Sequence, residues 1–136
     1  MSRTGILLVS HGDSAIAMLD TAEKIVGPLR TRAVTVPFGE AREETERRLE
    51  VACGELGTRD ILFLVDLEGS TPFNLCCRRC GGQSVVLSGV NMPMLFKLAT
   101  VDRNRPAAEI ADELCATGRK SIHIRPGDDS AGTREP

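Results

Sequence analysis

Tryptophan and tyrosine are missing from this 136-residue chain, and phenylalanine appears only four times. Proteins that thread nucleic acid stack bases on aromatic side chains within a basic field. This chain has neither, with a formal net charge of -2, so no nucleic-acid partner is expected. Membrane spans are missing too: no apolar run approaches the roughly 18 residues that a span requires. The N-terminus also lacks the charged region and apolar core of a signal peptide. The expectation is a soluble, cytoplasmic protein with no direct membrane insertion.

Histidine is scarce, at two residues, whereas cysteine is not, at five (Cys53, Cys76, Cys77, Cys80, Cys115). Cys77 and Cys80 form a C-x-x-C, but no second pair stands at zinc-site spacing. The pair also falls late in a predicted helix, away from the N-terminus where a thiolate is stabilised. Reduced, buried cysteines acting as small hydrophobes are the expectation, with no metal and no cofactor.

What the chain does have is aliphatic residues in short, well-spaced runs. Gly5-Ile6-Leu7-Leu8-Val9-Ser10-His11-Gly12 reads as a strand covered on both faces that delivers His11 and Gly12 to its C-terminal end. Ligands and chemistry gather at that end of parallel strands. Elements then alternate. Ser14–Val26 is a predicted helix capped by Asp13 or Ser14, with Ile16, Leu19, Ala22 and Val26 on its inner face. Arg32–Pro37 is a weaker strand suited to an edge, and Glu40–Leu56 an amphipathic helix with Ala41, Thr45, Leu49, Ala52 and Leu56 facing in. Ile61–Val65 is a second buried strand ending at Asp66. Thr71 then caps a helix with Pro72 at its first position, and Gly81-Gly82 closes it. A strand at Ser84–Leu87, a short helix through Leu98, a helix at Pro106–Ala116 and a short strand at Lys120–Ile124 complete the series.

The fold class expected is α/β, a doubly wound three-layer sandwich. Its sheet is mostly parallel, of order 2-1-3-4, with a short antiparallel C-terminal edge strand. Residues 1–124 form one domain, and 125–136 a polar tail expected to be disordered.

Order 2-1-3-4 sets the first and third strands side by side, which brings His11 next to Asp66. A carboxylate accepting one ring N–H fixes the imidazole tautomer and leaves the other nitrogen as a nucleophile. Gly12, Ser70 and Thr71 lie at the same strand ends, and Thr71 opens a helix whose unpaired N–H groups suit an anion. Asp13, Glu68 and Asn91 would line this site.

Three stretches together are identified as those of a known family. They are Val9-Ser10-His11-Gly12, Val65-Asp66-x-x-Gly69-Ser70-Thr71-Pro72-Phe73-Asn74 and Gly89-Val90-Asn91-Met92-Pro93-Met94-Leu95. They resemble the enzyme IIA domain of the mannose/fructose-type bacterial phosphotransferase system, over about residues 4–124. The resemblance implies a phosphotransferase in sugar uptake that carries a phosphoryl group on His11, received from HPr and passed to a IIB protein. It further implies that Asp66 orients His11, that Thr71 helps hold the phosphoryl oxygens, and that the chain is a homodimer exchanging its C-terminal edge strand. Ser70 stands where the family usually has the second of two glycines, a costly exchange if that position needs positive φ. Glu68 replaces a residue often aromatic or apolar, and with Asp13 adds negative charge.

Other classes fit less well. Small class II chelatases share the Leu8–Gly12 pattern but need a second histidine where this chain has Pro72-Phe73-Asn74, and His123 reads as structural. The alternative kept open is a regulatory IIA-like module whose phosphorylation at His11 controls a partner without sugar transport.

Overall fold

The computed structural model describes residues 3–79 and 81–128. Four strands, β1 (Thr4–His11), β2 (Arg32–Val36), β3 (Asp60–Val65) and β4 (Val85–Ser88), alternate with five helices. These are α1 (Ser14–Val26), α2 (Arg42–Leu56), α3 (Thr71–Arg79), α4 (Met92–Lys97) and α5 (Ala107–Lys120). The sheet runs β2-β1-β3-β4 with every pair parallel. Register aligns Val9 with Val65 and His11 with Val36. The residue after β3, Asp66, therefore emerges beside the last two residues of β1.

Both faces of the sheet are covered, which explains why the centres of β1 (Ile6–Val9) and β3 (Ile61–Val65) are unbroken apolar runs instead of alternating. On one face Ile6, Leu8, Leu62 and Leu64 pack against Ala22 of α1, Leu95 of α4, and Ile110 and Leu114 of α5. On the other, Leu7, Val9, Phe63 and Val65 meet Leu49 and Ala52 of α2 and Leu75 of α3. Each fully buried side chain of this size contributes about 1.5–3 kcal/mol. α1 turns inward only part of the face expected, with Leu19 half-buried against the core beside Ala22. Ala15 and Ala22 are buried, whereas Ile16 and Val26 stand largely open. At α2, Ala41 is the exposed N-cap and Cys53 takes a core position instead.

The N-terminal end of the sheet is fastened by Arg103, which is buried. Its Nη1 donates to Arg30 O at 3.1 Å, while Nη2 donates to Leu29 O and, at 3.3 Å, to Thr31 Oγ1. Its own carbonyl accepts from the N–H groups of Arg3 and Thr4 at 3.0 and 2.9 Å. Arg30, at φ +50, is the sole non-glycine residue with positive φ among the described residues. The guanidinium holds the carbonyl of that strained residue in place. Burial, assisted by the neighbouring Arg30 charge, pushes the Arg103 pKa down to about 10. It remains a cation at neutral pH.

The C-terminal antiparallel edge strand is not present. α5 runs past Ala116 to Lys120, and residues 121–128 are exposed without regular structure. Gly118 lies inside α5, where a Cβ would come 2.5 Å from Met94 Cε. It is a close-approach glycine between α5 and α4, and Arg119 and Lys120 then sit favourably at the negative end of the helix dipole. The helix thus absorbs Lys120. Ile122-His123-Ile124 pair with no strand among the described residues, and Ile122 and Ile124 are 74% and 98% exposed. His123 is likewise exposed and outside any strand. Most of the expected tail, residues 129–136, lies outside the described residues, as does Cys80. Cys53 and Cys76 are buried as expected, but Cys77 is exposed and Cys115 half-buried.

Candidate functional site

β1 ends by handing His11 to a tight turn. Gly12 adopts φ +55, and its N–H donates to Val36 O at 2.9 Å, so its donor is already engaged by β2. α1 begins immediately afterwards. Asp13 occupies the N-cap position but its side chain makes no capping bond. The cap is the buried Ser10 hydroxyl, which accepts from the Ala15 N–H at 2.6 Å, while the Ser14 hydroxyl lies 2.9 Å from both Ser10 Oγ and His11 O. A cap contributed from inside the preceding strand has no local sequence signature.

Asp66 meets His11 twice with one oxygen. Its Oδ2 is 3.0 Å from His11 Nδ1 and accepts the His11 backbone N–H at 3.0 Å. The ring therefore carries its proton on Nδ1 when neutral, leaving the Nε2 lone pair unengaged. The two side chains remain 30% and 25% exposed, open enough for a partner to reach. Asp66 Oδ1 is buried with no hydrogen-bond partner.

The loop to α3 assigns roles differently from expectation. Ser70, not Thr71, is the N-cap: its hydroxyl donates to Leu67 O at 2.7 Å and accepts the Phe73 N–H at 3.2 Å. Thr71 is thus the first helical residue and Pro72 the second. Positive φ falls on Gly69, at +78, so serine at position 70 carries no backbone penalty. The consequence for an anion is substantial. Pro72 has no N–H, Phe73's is taken by Ser70 Oγ, and Asn74's by Ser70 O at 2.9 Å. Among the described residues, α3 thus offers an anion only the N–H and hydroxyl of Thr71, which is exposed.

Asp13 and Glu68 are exposed acidic residues on the same turns. Asn91 is engaged elsewhere: Oδ1 accepts the Met94 N–H at 3.3 Å, capping α4, and Nδ2 donates to Gly118 O at 3.4 Å. One neighbour was not anticipated. Phe38, from the turn after β2, stacks on the His11 imidazole with ring centroids 5.9 Å apart and planes inclined by 16°. The only available signal was its place two residues beyond the end of the strand that flanks β1.

The chain has counterparts among known proteins in both sequence and fold. A family model described as the PTS system fructose IIA component matches residues 5–115. The chain belongs to this family. As a IIA protein of the mannose/fructose-type phosphotransferase system, it is similar to several characterised relatives. It is 24% identical over 124 residues to the fructose-specific EIIA component of Bacillus subtilis, covering 88% of this chain and 84% of that one. Identity reaches 32% over 126 residues with the mannose-specific EIIAB component of Escherichia coli K12, covering 86% of this chain. The match spans only 38% of that longer protein. Among solved structures, the mannose/sorbose-specific IIA subunit from Enterococcus faecalis superposes with a TM-score of 0.84 at 26% identity, covering 93% and 98% of the two chains. A Streptococcus pneumoniae PTS IIA protein associated with a fucose utilization operon gives 0.77 at 28% identity, covering 90% and 93%. No helix among the described residues of this IIA protein is long and apolar enough to cross a membrane.

Proposed function

We propose that this IIA protein accepts a phosphoryl group from phosphorylated HPr on His11 and passes it to a IIB protein. The observation that carries the reading is the double contact of Asp66 Oδ2 with His11. With the proton held on Nδ1, the Nε2 lone pair forms the new P–N bond as the P–N bond to the HPr histidine breaks, and the leaving imidazole keeps that electron pair. No proton moves to or from Asp66. The phosphorylated ring keeps its Nδ1 proton and becomes cationic, which a neighbouring carboxylate stabilises. Thr71 contributes its hydroxyl and N–H to the phosphoryl oxygens. With Gly12 and Ser70 it completes the phosphate side of the site, the latter two acting by shaping their turns. Asp13 and Glu68 favour a basic partner surface.

The exposed Ile122, two residues before the exposed Ile124, lines a groove along β4 with Val86, Leu87, Met94, Cys115 and Gly118. They support exchange of this segment between two copies, which would supply the pairing that a single chain lacks. Labelling tests the chemistry: acid-labile phosphate from HPr should appear on wild type and vanish in His11→Ala. Label that persists in that variant, or that maps to His123, overturns the assignment. Sedimentation tests the assembly. Loss of 125–136 should leave a dimer and loss of everything after Lys120 should give a monomer; a monomeric full-length chain overturns the exchange.

A further inference from the structure

Phe38 is 81% exposed, yet nothing about its placement is loose. It sits in the Pro37–Glu40 turn, closed by the Glu40 N–H donating to Pro37 O at 3.2 Å. Gly39 takes φ +81, the positive angle a type II turn needs at its third position. On the far side, the Glu40 carboxylate accepts from Thr45 Oγ1 at 2.8 Å and from Arg48 Nη2 at 2.5 Å, which ties the turn to α2. The Arg48 and Thr45 hydrogen bonds hold that carboxyl below its usual pKa. On the near side, Val36 is in register with His11. The turn is anchored at both ends, and it sets the phenyl ring nearly parallel to the imidazole, with centroids 5.9 Å apart.

Gly12 belongs to the same arrangement. A Cβ there would come 3.2 Å from Phe38 Cε2, so a side chain would press on the stacked ring as well as strain the backbone. Control of the imidazole is thereby divided. Asp66 fixes its edge at Nδ1, and a hydrogen bond along the ring edge restrains tilt of the ring plane only weakly. Offset stacking restrains that plane directly, and such pairs favour a defined geometry.

We propose that Phe38 is a positioning residue for His11, setting the imidazole plane so that the Nε2 lone pair lies along the line of phosphoryl transfer. The proposal rests on the reading of His11 as the phosphoryl acceptor. Phosphoryl transfer leaves little for a protein to supply beyond alignment and charge stabilisation, so a ring free to tilt loses rate while keeping its chemistry. Phe38 touches the ring and not the phosphoryl group.

The test compares wild type, Phe38→Ala and Phe38→Tyr with two donors. Phosphoramidate is a small donor that needs no docking surface, and phosphorylated HPr is the protein donor. Phe38→Ala should slow both by the same factor, about fivefold, the size expected for loss of one aromatic pair. Phe38→Tyr should recover the wild-type rate with both. The carbon-bound protons of His11 should lose their ring-current shift in Phe38→Ala and regain it in Phe38→Tyr. Slowing with HPr alone would make Phe38 a docking contact and overturn the proposal, as would unchanged rates with both donors. If wild type takes no label from either donor, it is the acceptor reading that fails. The His11 proton shifts then decide the stacking on their own, and an unchanged spectrum in Phe38→Ala overturns it.

Discussion

The two ends of the sheet each set one charged side chain against backbone, and they do so in opposite ways. At the N-terminal end Arg103 is buried and its two terminal nitrogens are spent on Leu29, Arg30 and Thr31. At the C-terminal end Asp66 stays a quarter exposed, spends one oxygen on His11 and leaves the other without a partner. A group that only holds the fold together is best enclosed, because its bonds strengthen away from water. A group that serves chemistry must stay within reach of a partner. Each side chain leaves one buried polar atom without a partner, Asp66 Oδ1 and Arg103 Nε, so the difference between the ends is one of exposure.

Substitutions can break this contrast. The largest effect is expected at Arg103→Ala, which orphans the carbonyls of Leu29 and Arg30 and should cost about 2–4 kcal/mol of stability. Chemical denaturation would measure that loss, while phosphoryl transfer per folded molecule should be unchanged. Asp66→Ala should behave conversely. It should fold, by circular dichroism, and transfer at least about tenfold more slowly, roughly 1.4 kcal/mol, in single turnovers from phosphorylated HPr. Asp66→Asn should be slowed less, since its amide oxygen can still accept the ring N–H. Wild-type transfer by Asp66→Ala would show that the contact with His11 is inert.

Smaller effects sharpen the division within the α3 loop. Ser70→Ala removes the cap and should cost about 1 kcal/mol in thermal or denaturant unfolding, with little change in transfer. Thr71→Ala should leave stability alone and slow transfer by less than Asp66→Ala does, because its backbone N–H remains. Acid gives the smallest change. The carboxyls of Glu40 and Glu113 are lowered from 4.5, chiefly by hydrogen bonds from Arg48 and Arg105 respectively. The stability they add is present above that value and lost as pH falls through their folded pKa values. Both are half-buried in ion pairs at the surface, where such pairs add little, so melting temperature should decline only slightly between pH 6 and pH 3.

Much of this was legible beforehand, for identifiable reasons. β1 and β3 announce themselves because burial on both faces demands unbroken apolar runs, and strand order then brings His11 to Asp66. The cap of α3 was misassigned by one residue because serine and threonine are both good caps and stand side by side. The end of α5 lies four residues beyond Ala116 because Gly118, a weak helix former, is held in the helix by its close approach to Met94, which is far away in sequence. Arg103 and Phe38 were invisible for the same reason. Arg103 acts on residues more than seventy positions away, and Phe38 on one reached only across a parallel strand pair.

The single oxygen shared by the ring and amide of His11 makes that amide a built-in reporter. Negative charge on Oδ2 is divided between two N–H donors of the same residue, so whatever strengthens one contact weakens the other. An imidazole that becomes cationic draws the oxygen toward Nδ1–H, and the backbone N–H loses part of its acceptor. The amide nitrogen and proton resonances of His11 should therefore move in step with the state of the ring. Charge on the side chain is then readable from the main chain of β1, without any label attached to the imidazole itself.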